Sequence, residues 1–190
     1  MRKTTLLLAT FIALSCSSGA QIKFTTKVET AWMPYGARLV RVDAGPGWKG
    51  YNLDNKQNGF ALNLVNGARI KDRFFAGLGL GYLNFEGING FSLYSDFEFY
   101  FLKKKKLNPF LNLTIGYSHL NNQYEGGTGS GCTSYGAGIQ YRHTPNLAFS
   151  VQTGFLITQQ ALFYPVRLSI VLNKPTTKKE TAKGPGSAKE

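Results

Sequence analysis

The stretch at 73–102 constrains the fold most strongly, with the sequence RFFAGLGLGYLNFEGINGFSLYSDFEFYFL. In each half, apolar side chains alternate with small or polar ones, and the turn-forming residues 86–90 separate the two halves. A period of two over about ten residues predicts a strand, because successive side chains of a strand point to opposite faces. The stretch therefore predicts a β-hairpin of two long strands, with one apolar face and one polar face.

Similar alternation elsewhere predicts five further strands, at 59–67, 110–119, 132–142, 147–158 and 163–173. Single-chain bacterial barrels have an even number of strands, so one N-terminal segment must supply the eighth. The segment at 37–51 is favoured, because Arg41 and Asp43 would continue the polar face. On this interpretation the barrel spans 37–173, and 21–36 is a periplasmic segment or a short strand.

Two kinds of barrel share this alternation. A transmembrane barrel turns its apolar face to lipid, whereas a soluble barrel such as a lipocalin turns it inward around a ligand. The polar face carries many glycines, which suit a narrow interior and would only weaken a water-facing strand; they are Gly77, Gly79, Gly81, Gly116, Gly136, Gly138 and Gly154. The sequence therefore predicts an all-β protein, an eight-stranded antiparallel up-and-down transmembrane β-barrel.

The two ends of the chain differ from the rest. Residues 1–20 are typical of a signal peptide, with Arg2 and Lys3, an apolar centre and small residues before Gln21. A lipoprotein signal ending at Cys16 is an alternative. Residues 174–190 lack periodicity and large apolar side chains, which predicts a basic disordered tail. We expect the chain to be exported to the cell outer membrane, so its net charge of +12 does not indicate a nucleic-acid partner.

One run of the sequence resembles a known family. Residues 77–120 combine a Gly-x-Gly-x-Gly strand, an acidic and aromatic strand with a Lys-rich turn, and a Pro-Phe strand ending in Gly-Tyr-Ser. This run is similar to the small outer-membrane β-barrel family common in Bacteroidota. The resemblance implies an outer-membrane location and no agreed activity. The last strand departs from many such barrels, because it ends in Leu172 and Asn173 instead of a terminal Phe.

Charged residues on the polar face should lie inside the barrel. Ions in so narrow an interior must pair, because burying an isolated ion costs several kcal/mol. We expect Asp96 and Glu98 to pair with arginines, above all Arg41 and Arg167. The whole predicted lumen charge network is Arg41, Asp43, Asp96, Glu98, Arg142 and Arg167. A structural network that closes the barrel is the main interpretation, and a gated ion path is the alternative.

The sequence shows little catalytic chemistry. Ser118 and His119 are adjacent, with Glu125 in a nearby loop, but neighbouring strand residues point to opposite faces. His119 and His143 fall at opposite strand ends and cannot share a metal ion. We therefore expect no enzyme activity, cofactor or metal, and a lipid-modifying hydrolase remains an alternative.

The short turns at 69–72, 103–107 and 143–146 should face the periplasm, because small barrels keep their short turns there. One of them is a basic periplasmic turn formed by Lys103, Lys104, Lys105 and Lys106. Its expected partners are outer-membrane lipids or an acidic periplasmic partner. The predicted role is structural or interactional, through external loops and this basic face. A narrow channel for ions or small solutes is the second hypothesis.

Overall fold

The computed structural model describes residues 22–39, 57–103, 105–121 and 127–174. These residues form strands and turns, and no helix among them is long and apolar enough to cross a membrane. The strands are β1 (Ile22–Met33), β2 (Tyr35–Arg38), β3 (Gly59–Ile70), β4 (Phe74–Phe85), β5 (Ile88–Tyr100), β6 (Leu107–Leu120), β7 (Thr128–Arg142), β8 (Leu147–Thr158), β9 (Ala161–Phe163) and β10 (Val166–Asn173). The predicted signal peptide and most of the predicted tail lie outside the described residues.

The strands close into an antiparallel barrel. Its order is β1, β3, β4, β5, β6, β7, β8 and β10, and β10 pairs with both β8 and β1 to close the ring. β2 follows β1 across Pro34, and β9 precedes β10 across Tyr164 and Pro165. These two short segments pair with each other and extend the barrel at one end. The predicted eight-stranded barrel is therefore confirmed.

The choice of first strand was wrong. β1 pairs with β3 along its whole length, from Ile22 opposite Ile70 to Met33 opposite Gly59, and so closes the barrel. The segment favoured by the sequence, 37–51, contributes only its first residues to β2, and 40–56 lie outside the described residues. Two charged residues on the inner face of β1, Lys27 and Glu29, fit there because other strands supply their partners.

The outer surface of the barrel is apolar. Large apolar side chains of every barrel strand are exposed, and Leu78 and Leu168 are 66% and 58% exposed. So much exposed apolar area is costly in water and favourable in lipid. Aromatic side chains lie towards both ends of this surface, as in membrane barrels: Trp32, Phe60, Tyr82 and Tyr117 towards one end, Phe24, Phe74, Phe99 and Tyr141 towards the other. The exterior thus has the arrangement of a membrane-spanning barrel.

The interior is filled by side chains in layers. An apolar cluster at the end next to β2 and β9 includes Met33, Phe85, Leu120 and Phe163. A second cluster around Phe75 and Phe110 lies in the other half. Close approach inside the barrel also explains one glycine, because a Cβ at Gly79 would lie 2.4 Å from the Tyr94 ring.

Tight turns join several strand pairs. Lys71, Asp72, Glu86, Gln159 and Gln160 all have positive φ, as does Gly87. Two-residue hairpin turns favour such dihedrals, because their twist then matches that of the flanking strands. The β4–β5 hairpin at 86–87 was predicted from the sequence, and the turn at 159–160 lies at the same end.

A charge on the outer face should cost stability according to its depth. We expect Leu64→Arg, at the middle of β3, to lower the free energy of unfolding by about 2–4 kcal/mol in a lipid bilayer. Phe60→Arg is the matched control, since Phe60 is equally exposed but lies near the strand end; it should cost only about 0–1 kcal/mol. Denaturant titration in vesicles measures both. Equal costs at the two positions would contradict a lipid-facing exterior.

Candidate functional site

A charge layer lies at the centre of the lumen. Lys27 of β1 reaches Asp96 and Glu98 of β5, and its Nζ is 2.6 Å from Glu98 Oε1. The two carboxylates are two residues apart on one strand, so both point inward and meet the same ammonium group. All three residues are almost fully buried. Lys27 is therefore the cation that both carboxylates share.

A second ion pair lies beside the first. Arg167 Nε is 3.8 Å from Glu29 Oε1, and Glu29 also accepts hydrogen bonds from Asn63 and Ser169. Arg167 donates to Ser134 Oγ at 2.7 Å. These bonds satisfy polar atoms that would otherwise be buried without partners.

Asn112 connects the two ion pairs. Its Nδ2 donates to Asp96 Oδ1 at 2.6 Å, and its Oδ1 accepts from Arg167 Nη1 at 3.4 Å. An amide can bridge an anion and a cation in this way because it carries both donors and an acceptor. The two pairs thus form one hydrogen-bonded network across several strands.

Through Tyr100 the network continues towards the end of the barrel that lies away from β2 and β9. The Tyr100 hydroxyl donates to Glu98 Oε2 at 2.5 Å and accepts from Arg69 Nη2 at 2.7 Å. Arg69 also donates to Gln140 Oε1 at 3.0 Å, and its guanidinium lies 4.3 Å from the centre of the Tyr100 ring. The described network contains three cations, Lys27, Arg69 and Arg167, and three carboxylates, Glu29, Asp96 and Glu98. It is therefore neutral as a whole.

The predicted pairing of the carboxylates is corrected by these contacts. Asp96 and Glu98 point into the lumen, but their cation is Lys27, and Arg167 contacts Glu29 instead. Arg41 and Asp43 lie outside the described residues. Arg142 is half-buried near the end of β7, away from the charge layer. The expected pairing with Arg167 was wrong because the first strand was misplaced, and the expected pairing with Arg41 stays a prediction.

Sequence reasoning missed three members of the network. Lys27 and Glu29 were overlooked because their segment was judged a weak strand, although they alternate with Val28 as inward residues do. Arg69 was assigned to a turn, whereas it lies in β3 and is 2% exposed. One signal in the sequence could have identified them. Thr25, Lys27, Glu29 and Ala31 stand at every second position, as the inward-facing residues of a strand do.

A small cavity separates the charge layer from the apolar end of the lumen. Its volume is about 40 Å³, and Tyr94, Cys132 and Arg167 are among the residues that line it. That volume holds two or three water molecules, since one water needs about 10–15 Å³. Beyond it, Phe85, Leu120 and Phe163 are fully buried and fill the lumen as an apolar plug.

The serine and histidine of the hydrolase hypothesis do not meet. Ser118 points inward, where its Oγ lies 2.6 Å from Thr158 Oγ1 and accepts from Gln159 Nε2. His119 lies against Phe91, and its Nδ1 is 3.2 Å from the Tyr117 hydroxyl. Glu125 lies outside the described residues, within which no three His, Cys, Asp or Glu side chains are grouped to hold a metal.

The rim of the barrel is basic at the end where β1 begins and β10 ends. Its exposed cations include Lys71, Arg73, Lys103, Lys105 and Lys106, while Lys104 lies outside the described residues. We call this set, together with Lys174, the basic rim. Within the described part of this rim the carboxylate is Asp72, which is buried and 2.8 Å from Lys23 Nζ. The exposed positive charge therefore has no exposed carboxylate beside it among the described residues.

Asp72 titrates differently from a free aspartate. Burial raises its pKa, but the hydrogen bond from Lys23 and the positive charges of Lys23, Arg142 and Arg69 together lower the pKa below its ordinary value. These charges stabilise the ionised carboxylate in the folded state.

The fold resembles those of solved outer-membrane barrels. Neisserial surface protein A superposes with a TM-score of 0.55 and 12% identity, over 82% of this chain and 99% of that one. The N-terminal β-barrel domain of Pseudomonas aeruginosa OprF superposes with a TM-score of 0.56 and 14% identity, over 81% of this chain and 100% of that domain. No protein-family model and no curated protein matches the sequence. The fold is therefore that of the small outer-membrane β-barrels, and the comparisons extend no further.

Removing the central cation should destabilise the barrel strongly. Lys27→Met leaves two buried carboxylates without their cation, and breaking a buried pair in this way costs about 3–5 kcal/mol of unfolding free energy. Lys23→Met is the control, since Lys23 makes a partly exposed pair and should cost at most about 1 kcal/mol. Adding Asp96→Asn and Glu98→Gln to Lys27→Met should recover much of the loss. Equal effects of Lys27→Met and Lys23→Met would contradict the network.

The contribution of Asp72 should depend on pH. Because its folded pKa lies below the unfolded value of about 3.9, the ionised carboxylate stabilises the barrel above that pH. This stabilisation is lost as pH falls through the folded pKa. Asp72→Asn should therefore lower the unfolding free energy at pH 7, and its difference from wild type should disappear at low pH. A difference that stays constant with pH would show that the charge of Asp72 is not responsible.

Proposed function

We propose that this chain is an integral protein of the outer membrane of a Gram-negative cell, with a structural or interaction role. The observation that carries the proposal is the combination of an apolar, lipid-facing exterior with a lumen filled by buried side chains. The resemblance of residues 77–120 to the Bacteroidota family supports the same location. A protein of this kind acts through its exposed ends, because its interior is occupied.

A narrow channel is less well supported. The described network of three cations and three carboxylates is neutral as a whole, and each of its described carboxylates is hydrogen-bonded, so the network offers no unpaired carboxylate to a passing cation. The apolar plug adds a second barrier, because an ion entering it would lose its hydration without compensation. The two layers lie in series along the lumen.

A lipid-modifying hydrolase also lacks support. Ser118 is buried inside the barrel while His119 faces the aromatic exterior, so this histidine cannot take a proton from this serine. General-base activation requires the two groups within hydrogen-bonding reach. The remaining surfaces with distinctive chemistry are the two ends of the barrel.

The basic rim is the better-defined end. Its exposed lysines and arginines attract anionic groups, and the periplasm offers acidic proteins and cell-wall polymers as well as the headgroups of the inner leaflet. An acidic periplasmic partner would be held by long-range attraction, which salt screens over about 8 Å near physiological ionic strength. Binding of such a partner is the interaction role that we propose, and the closed barrel itself is the structural role.

Planar-bilayer recording tests the structural half. The purified barrel should produce no discrete conductance steps above those of the bare bilayer. Phe85→Ala combined with Phe163→Ala removes much of the apolar plug but leaves the charge layer, and this variant should also remain closed. Discrete openings of the wild-type barrel would contradict the proposal and favour the channel.

Co-purification from cross-linked membranes tests the interaction half. The intact chain should recover periplasmic partners at low salt and lose them at high salt. A chain cut after Asn173, with Lys103 to Lys106 changed to Ser, should recover fewer partners at low salt. Recovery of the same partners by both chains at both salt concentrations would contradict the proposed role of the rim.

A further inference from the structure

An open groove crosses the outer face of β5, β6, β7 and β8. Its volume is about 690 Å³, and apolar side chains form most of its lining. Phe97 and Phe99 of β5 bound one side, and Tyr135 and Phe155 of β7 and β8 bound the other. A second groove of about 650 Å³ lies on the outer face of β1, β3 and β4 beside Lys174, but its lining includes the polar side chains of Thr26 and Asn66.

Two small side chains create the groove. Ala137 and Thr153 face each other on β7 and β8, at positions where neighbouring rungs carry pairs such as Tyr135 with Phe155 and Ile139 with Val151. The rings of Tyr135 and Phe155 are 5.3 Å apart and form a wall on one side of this gap. The groove thus depends on the register of β7 and β8, because this register places the small outward side chains of Ala137 and Thr153 next to each other.

The groove lies at the depth of lipid chains. It borders Leu111 and Leu113, which lie near the middle of β6, and these leucines are 50% and 41% exposed. In the proposed membrane location this part of the surface contacts hydrocarbon, so the groove is open to an acyl chain and closed to water-soluble ligands. An extended apolar chain would fill space that neighbouring lipids fill poorly.

A cationic turn lies at one end of the groove. The β5–β6 connection carries Lys103, Lys105 and Lys106, all exposed, and begins directly after the strand that contributes Phe99. Lys103 is four positions beyond Phe99 and three beyond the end of β5, which corresponds to at most about 13 Å of extended chain. That length fits the separation between a lipid phosphate at the membrane surface and the middle of its acyl chain.

We propose that the groove and the lysines of the β5–β6 turn form a binding site for one anionic phospholipid of the inner leaflet. One acyl chain lies across Ala137 and Thr153, and the phosphate contacts Lys103 and Lys106. The inference rests on the proposed outer-membrane location and names a ligand for one sector of the basic rim. The remaining sectors stay available to the acidic periplasmic partner.

A phospholipid suits the site better than a second copy of the barrel. Two copies share one orientation in the membrane, so contact through this groove would bring two sets of β5–β6 lysines together. Like charges in close proximity repel, whereas a phosphate neutralises them. The charge beside the groove therefore favours an anionic lipid over a symmetric dimer.

Native mass spectrometry of the full chain tests the site. The barrel is released from bilayers that contain equal amounts of phosphatidylglycerol and phosphatidylcholine with the same acyl chains. Wild type should retain one phosphatidylglycerol in preference to phosphatidylcholine. Because each lysine near an anionic lipid contributes about fivefold in affinity, Lys103→Ser with Lys106→Ser should lower this preference by at least about fivefold.

Two further variants locate the site. Ala137→Phe fills the groove and should reduce retention of both lipids, while the lysines remain. Lys71→Ser with Lys174→Ser removes the same charge from the β3–β4 turn and from the end of β10 beside the second groove, and should leave the preference unchanged. If this control lowers the preference as much as the β5–β6 pair does, net charge is responsible and the proposal is wrong.

Folding must be measured separately, by the heat-dependent shift in electrophoretic mobility of each variant in the same bilayers. A wild-type chain that fails to fold into bilayers would contradict the outer-membrane location itself. A folded wild type that retains both lipids equally, or retains neither, would overturn only the lipid site. A mass of two barrels without lipid would assign the groove to dimerisation and would also overturn it.

Discussion

The contact of Lys27 with Asp96 and Glu98 is the interaction on which the interior depends. Two carboxylates on adjacent inward positions of β5 could not both remain ionised in a closed lumen without a cation. Lys27 lies on β1, the strand that closes the barrel, so the pairing also joins this strand to β5 across the lumen. The same contact that places a cation between the two carboxylates therefore helps to fix which strand completes the ring.

The architecture follows from the sequence more completely than the charge network does. Alternation in β4 to β8 predicted the barrel, because the lipid-facing rows hold leucines and aromatics while the lumen rows hold glycines and hydroxyls. The network could not be predicted in the same way, since alternation shows which face Asp96 occupies and not which strand lies across the lumen. That assignment needed the correct first strand. Lys27 and Glu29 concealed it, because isolated charges normally argue against an inward face. Here they are satisfied by distant partners, 69 and 71 residues away for Lys27 and 34 and 140 residues away for Glu29.

Charge is distributed differently inside the barrel and at its rim. Inside, the described cations and carboxylates are equal in number and joined by hydrogen bonds, as a medium of low dielectric constant requires. At the basic rim the exposed lysines and arginines have no exposed carboxylate beside them in the described residues, and the buried Asp72 is already paired with Lys23. Unbalanced charge is affordable there because water and mobile ions screen it. The charges available to other molecules are therefore those of the rim.

The outer face adds a constraint that charge alone does not supply. An anionic ligand attracted to the rim could approach any of its sectors. The groove on β5 to β8 lies beside a turn with three exposed lysines, whereas the groove on β1, β3 and β4 borders Lys174 and has polar side chains in its lining. A water-soluble acidic polymer gains nothing from an apolar groove, since it cannot enter hydrocarbon, whereas a phospholipid could contact the exposed lysines and the groove together. The groove floor depends on Ala137 and Thr153 lying opposite each other, and strand register fixes that pairing. The lipid selectivity that we propose for this side of the barrel would thus be a consequence of register, through the same inward and outward alternation that builds the fold.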